Sequence, residues 1–175
     1  RPGPPHFNVK EDGGAMTIKV GDAIPSVKLM VWGESGPQPV MTDDLFKGKK
    51  VAFFGVPGAF TPKCSEAHLP GFVQNAEALK AKGIESIVCT AVNDVFVMHA
   101  WGVDQSVGDK VVMVADGDAA FTKAAGLEFD LTGKGLGLRN QRFAMVVDDG
   151  VVKSIEIDPP GTYEKTSAEA VLAQL

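Results

Sequence analysis

The stretch VAFFGVPGAFTPKCSEAHLPGF, residues 51–72, decides how this chain folds. Its first six residues, Val51 to Val56, are a continuous apolar run of the length and composition of a strand buried on both faces. Pro57-Gly58 breaks that run. From about Pro62 to Lys82 the apolar residues Leu69, Phe72, Val73, Ala76 and Leu79 return at helical spacing. Pro70 and Gly71 should kink this helix, because proline lacks a backbone donor and clashes one turn back. Thr61 reads as the N-cap, Pro62 as the first helical position and Cys64 as the third. A thiol thus stands where a buried strand turns into a helix.

Outward from this unit the alternation continues. SIVCTAV (86–92) is a second buried strand, and Asn93-Asp94 can cap a helix that runs to about Gln105. VVMVA (111–115) is a third strand, followed by a short helix near Asp118–Ala125. FAMVVDDGVVKSIEI (143–157) reads as a hairpin closed by Asp148-Asp149-Gly150, and SAEAVLAQL (167–175) as a serine-capped helix. Strand–helix–strand–helix–strand, then hairpin and helix, predicts an α/β fold with a mixed central sheet flanked by helices on both faces.

The chain has 175 residues, 45% hydrophobic and 22% charged, enough to bury one core. Residues 1–15 carry three prolines and three glycines without apolar periodicity. They are expected to be a tag remnant or disordered extension, with a single domain over residues 16–175. A net charge of -5 argues against nucleic-acid binding, which needs a basic stripe. No apolar run approaches the roughly 20 residues of a membrane helix. Two cysteines make no disulfide framework, which suits a reducing, cytoplasmic setting.

Cys64 is the centre of the chemical reading. At the third position of a helix its N–H has no intrahelical partner, and its sulfur lies in the positive field of the helix start. Both favour a thiolate, which is the nucleophilic form. Ligands of open α/β sheets bind at the carboxyl ends of strands, where Cys64 falls. There is no C-x-x-C, so a dithiol oxidoreductase of the usual kind is not expected.

PGAFTPKCSEAHLPGF resembles the active-site segment of atypical type II, or peroxiredoxin-5-like, peroxiredoxins, whose Pro-x-x-x-Thr-x-x-Cys core is here Pro57, Thr61 and Cys64. The resemblance continues in order through AVNDVFVMHAW, VADGDAAFTKAAGLEFDL and GKGLGLRNQRFAMVVDDGVV. It implies a thioredoxin-like fold and thiol-dependent reduction of hydrogen peroxide and organic hydroperoxides. Cys64 then matches the cysteine that attacks the O–O bond to give a sulfenic acid. Thr61 matches the hydroxyl that positions peroxide, Pro57 the residue that shields the thiolate, and Arg142 the arginine that stabilises thiolate and transition state. Physics fits these roles: charge builds on the leaving oxygen, and a guanidinium offers forked donors that never lose their charge. No cofactor is implied, and a homodimer packed near the pocket is.

Cys89, twenty-five residues after Cys64, reads as a small buried residue of a central strand, although plant-type members carry a second cysteine at that spacing. The resolving cysteine of the animal group would fall near Thr166 and is missing. That departure favours a one-cysteine cycle in which glutathione, glutaredoxin, thioredoxin or another external thiol reduces the sulfenic acid. His68 is expected to hydrogen-bond structurally rather than act as a base, and Arg139 to be a solvated surface residue. The three histidines are too scattered for a metal site. Gly133, Gly135 and Gly137 read as a flexible connection, and Phe60, Phe129 and Leu131 as core, pocket wall or subunit contact. Rival functions are a peroxide sensor or relay passing oxidation to a partner, and a binding module with an inert cysteine.

Overall fold

The computed structural model describes residues 16–175; the extension expected at residues 1–15 lies outside the described residues. The chain begins with an antiparallel hairpin, β1 (Lys28–Gly33) and β2 (Gly36–Met41), and a short helix α1 (Thr42–Phe46). Strand β3 (Lys50–Gly55) leads through the Cys64 turn into α2 (Leu69–Gln74) and α3 (Ala76–Ala81). Then come β4 (Ser86–Ala91), α4 (Val95–Asp104), β5 (Val112–Ala115) and α5 (Ala120–Ala124). A two-stranded ribbon, β6 (Glu128–Leu131) and β7 (Gly137–Asn140), precedes the hairpin β8 (Arg142–Asp148) and β9 (Val151–Asp158), and α6 (Ala168–Leu172) closes the chain.

Seven strands form one mixed sheet in the order β2-β1-β5-β4-β3-β8-β9. β3, β4 and β5 are parallel, while β1 and β8 flank them antiparallel. Successive residues of β3 serve opposite faces, as the period of a strand requires. Val51 and Phe53 join Phe46, Phe121 and Phe143 under α1 and α5. Ala52 and Phe54 join Leu69, Phe72, Met98, Trp101 and Val171 under α2, α3, α4 and α6. Every residue from Val51 to Phe54 is at most 1% exposed, so the run needed no polar side chain. The flanked mixed sheet is the architecture the element order predicts.

Several elements follow the sequence signals directly. Asp94 caps α4 by accepting from the Val97 N–H at 2.9 Å, and Ser167 caps α6 by accepting from Ala170 N–H at 3.0 Å. Asp149 and Gly150 both take positive φ, +48° and +79°, which matches the twist of the β8–β9 hairpin. The helix after β3 departs from expectation in form. Residues Cys64–His68 make a π-helical turn in which the Leu69 N–H reaches back to the Cys64 carbonyl. The widening falls just before Pro70, which has no N–H to close the next α-helical ring. A further break at Asn75 separates α2 from α3.

Gly133, Gly135 and Gly137 do not form a free connection: they shape the turn between the paired strands β6 and β7, with Gly137 opposite Leu131. The β1–β2 hairpin was not anticipated, and its second strand carries Pro37 and Pro39. β2 is an edge strand, and an edge tolerates residues that cannot donate to a neighbour.

Candidate active site

β3 ends at Gly55, which pairs with Phe143 on β8. That register sets Arg142, the first residue of β8, beside the chain leaving β3 for the Cys64 turn. It also sets Arg142 opposite Asp158, the last residue of β9. Sequence positions separated by dozens of residues therefore meet at the carboxyl end of the parallel strands.

The turn itself is pinned from several sides. Ala59 N–H donates to Asn93 Oδ1 at 3.0 Å, and Trp101 Nε1 donates to Ser65 Oγ at 3.0 Å. Arg139 Nε donates to the Leu136 carbonyl at 2.9 Å, and its Nη1 reaches the Pro57 carbonyl at 3.4 Å. Arg139 is thus half-buried bracing for the turn rather than the solvated residue expected, because the β6–β7 ribbon brings it back over Pro57. Phe60 takes φ +64°, a left-handed conformation uncommon for an aromatic residue, and the residue is 52% exposed.

Thr61 stands at the expected helix boundary, and Ser65 N–H makes the first helical bond to its carbonyl at 3.0 Å. Its hydroxyl, however, donates to the Gly58 carbonyl at 2.6 Å instead of accepting from the helix as a cap would. That bond fixes the hydroxyl in the turn and leaves its lone pairs as acceptors.

Cys64 is 1% exposed and Arg142 8%. Arg142 Nη2 donates to Cys64 Sγ at 3.2 Å, and Nη1 meets His68 Nδ1 at 2.7 Å. The other ring nitrogen, Nε2, lies 2.8 Å from the Thr166 carbonyl. A carbonyl only accepts, so Nε2 carries the proton and Nδ1 offers its lone pair to the guanidinium. Burial first, and the Arg142 charge second, press the His68 imidazole down from its usual range to about 3. The ring is therefore neutral and serves as an acceptor that orients Arg142.

Thr166 is held in turn by Asp158. That carboxylate accepts from the N–H groups of Glu164, Lys165 and Thr166 at 3.0–3.2 Å and from Thr166 Oγ1 at 2.7 Å. Burial is the largest single effect on Asp158 and pushes its pKa up. The donors together outweigh it, so the carboxyl sits below its usual range. Tyr163 completes the enclosure, its ring 5.9 Å from the guanidinium and 5.2 Å from the His68 ring. His68 is the structural hydrogen-bonding residue anticipated, but its partner could not be read from spacing. Asp158, Tyr163 and the Thr166 carbonyl went unnoticed, since a carboxylate before Pro159-Pro160 carries no local signal.

Cys89 is fully buried on β4, its thiol free and pushed up well above the usual range by burial. It sits in the same core cluster as Cys64, without a disulfide between them. Among the described residues no group of three His, Cys, Asp or Glu side chains is placed to hold a metal, and no helix is long and apolar enough to cross a membrane.

The comparisons with known proteins converge. The Redoxin family model matches residues 19–172. Peroxiredoxin-2B of Arabidopsis thaliana is 45% identical over 159 residues, covering 90% of this chain and 98% of its own. The crystal structure of reduced Prx3 of Vibrio vulnificus in complex with hydrogen peroxide is 47% identical, with a TM-score of 0.87 over 90% of this chain and 99% of that one. Peroxiredoxin 5 of Alvinella pompejana is 36% identical, with a TM-score of 0.79 over 89% and 96%. The shared fold is thioredoxin-like. With a buried thiol held by an arginine at the end of its central strands, the chain belongs to the Redoxin family and, within it, to the peroxiredoxins, oxidoreductases that reduce peroxides with thiols.

Proposed function

We propose that the protein is a peroxiredoxin of the atypical type II, peroxiredoxin-5-like group, reducing hydrogen peroxide and organic hydroperoxides at Cys64 by a one-cysteine cycle. The observation that carries the assignment is the Arg142 guanidinium, bonded to Cys64 Sγ on one side and to neutral His68 on the other. The Cys64 thiolate attacks the distal peroxide oxygen, the O–O bond breaks, and the departing oxygen takes a proton to leave as water or an alcohol. Arg142 stabilises the charge that develops, Thr61 accepts a hydrogen bond from the peroxide hydroxyl and so positions it, and Pro57 limits water at the sulfur. The hydroxyl remains on sulfur as a sulfenic acid.

An external thiol then condenses with the sulfenic acid, releasing water and forming a mixed disulfide. A second thiol exchanges with it, restores Cys64 and leaves as the oxidised disulfide. Glutathione, alone or with glutaredoxin, suits this role, and thioredoxin is the other candidate. Two features support an external reductant. Cys89 is buried in a central strand with its thiol held protonated, and Thr166 occupies the position where a resolving cysteine would fall. The similarity to peroxiredoxin 5 supports the subgroup, and the exposed Phe60 and Phe96 rings suit a homodimer. A reducing, cytoplasmic setting belongs to the same reading.

The test is to mix reduced protein with one equivalent of hydrogen peroxide and follow it by stopped flow and intact mass. A fast sulfenic acid at Cys64, lost in Cys64→Ser and retained in Cys89→Ala, is expected. A reaction no faster than free cysteine refutes the peroxidase assignment, and a Cys64–Cys89 disulfide refutes the one-cysteine cycle.

A further inference from the structure

Two consecutive peptide units ahead of Thr61 are each held by a side chain from another element. Arg139 Nη1 donates to the Pro57 carbonyl at 3.4 Å, which fixes the peptide before Gly58. The Ala59 N–H donates to Asn93 Oδ1 at 3.0 Å, which fixes the peptide after it. Between them stands Gly58, whose backbone rotates more freely than that of any other residue type. The Gly58 carbonyl accepts from the Thr61 hydroxyl at 2.6 Å. A Cβ on Gly58 would stand 3.1 Å from Arg139 Nη1 and 3.0 Å from Thr61 Cγ2, so the guanidinium and the threonine close on the same α-carbon.

Arg139 comes from β7, opposite Phe129 in the ribbon that stands apart from the seven-stranded sheet. Its Nε donates to the Leu136 carbonyl at 2.9 Å, which ties the guanidinium to its own ribbon while Nη1 reaches Pro57. The next residue, Asn140, accepts from the Val92 N–H at 3.1 Å. The ribbon thereby braces the chain leaving β3 and the chain leaving β4 together. A planar fork can make the two Arg139 bonds in one fixed geometry, whereas a lysine ammonium offers a single point.

We infer that Arg139 is a positioning residue of the peroxide step. By holding the Pro57 carbonyl it keeps the Gly58 carbonyl aimed at Thr61, and so keeps the hydroxyl hydrogen of Thr61 committed to the turn. In that state the Oγ1 lone pairs are free to accept from the peroxide hydroxyl. Once the Pro57 carbonyl is released, Gly58 can rotate, its carbonyl loses Thr61, and the hydroxyl no longer has a fixed direction. The inference rests on the peroxidase reading above and extends its machinery to a residue that acts only through Thr61.

The test is a double-mutant cycle on the rate of sulfenic acid formation. Stopped-flow rates with hydrogen peroxide are compared for wild type, Arg139→Gln, Arg139→Lys, Thr61→Val and the Thr61→Val/Arg139→Gln double variant, on the pH plateau where the Cys64 thiol is fully ionised. Thr61→Ala replaces Thr61→Val if the valine variant does not fold. Arg139→Gln should slow the reaction about tenfold, the cost of loosening one oriented contact. Arg139→Lys should stay within about threefold of Arg139→Gln, because charge without the fork does not hold both carbonyls. In the Thr61→Val background, Arg139→Gln should slow the reaction by less than about twofold, since the hydroxyl it serves is gone. A brace with a merely structural role would slow both backgrounds by the same factor, and that additive result overturns the inference. An unslowed Arg139→Gln, or the full wild-type rate in Arg139→Lys, also overturns it. A wild type no faster than free cysteine strikes the peroxidase reading and this inference together, whereas a fast wild type with an additive cycle strikes the inference alone.

Discussion

Acidification offers a direct probe of the neutral histidine on which the site is built. His68 titrates near 6.5 when unfolded and about 3 in the fold. Between those values the unfolded chain binds a proton that the native state refuses, so stability must fall as pH falls. The loss begins near pH 6.5 and is complete near pH 3. Each unit is worth about 1.4 kcal/mol, so at pH 4.5 the loss from this one residue is about 3 kcal/mol. Asp158, held below its usual range, adds its own loss at lower pH, whereas Asp116, pushed up by burial, acts in the opposite sense. Comparing wild type with His68→Gln removes both, since neither aspartate is changed. Gln keeps one donor and one acceptor but does not titrate. Urea unfolding at pH 7.0, 5.5 and 4.5, each chosen for its position on this titration, should show the stability gap between the proteins narrowing by about 3 kcal/mol. Parallel pH curves would refute the buried neutral imidazole, and with it the account of how Arg142 is aimed.

Other substitutions address the site and the sheet. Arg142→Lys keeps the charge but loses the fork that reaches Sγ and His68 Nδ1 together, so the peroxide reaction should slow by about 100-fold, read by stopped flow. A slowing below threefold would mean that charge alone suffices. Asp158→Asn replaces an acceptor that serves three backbone amides and a hydroxyl, and should cost about 2–3 kcal/mol. Hydrogen exchange should quicken at Glu164, Lys165 and Thr166, and unchanged protection there would contradict the role. Gly55→Ala would drive a methyl into the Phe143 ring packed against it on β8. It should destabilise the fold by about 1–3 kcal/mol in urea unfolding, and a neutral result would show that the ring moves freely.

Much of this molecule is legible locally. The β3 run, the Asp94 and Ser167 caps and the Asp149-Gly150 turn each depend on a few adjacent residues, and each forms where its pattern points. Patterns fail where neighbours intervene. Pro37 and Pro39 sit in a strand because it is an edge, and three glycines form a turn because their flanks pair. Pro70 produces a π-helical turn ahead of itself rather than a simple kink.

The site divides in the same way. Cys64 and Thr61 lie within one turn of chain, so their proximity is a property of local sequence. Arg142 reaches Cys64 only because β8 pairs with β3 in the register that sets Phe143 opposite Gly55. The relay from Asp158 through Thr166 and His68 to that guanidinium joins four separated segments. Sequence by itself determined the thiol, its helix start and the α/β order, because those rest on interactions between near neighbours. Only the tertiary structure decided how Arg142 is brought to the sulfur and why the histidine is neutral, because burial and partnership depend on strand register and packing across the whole chain.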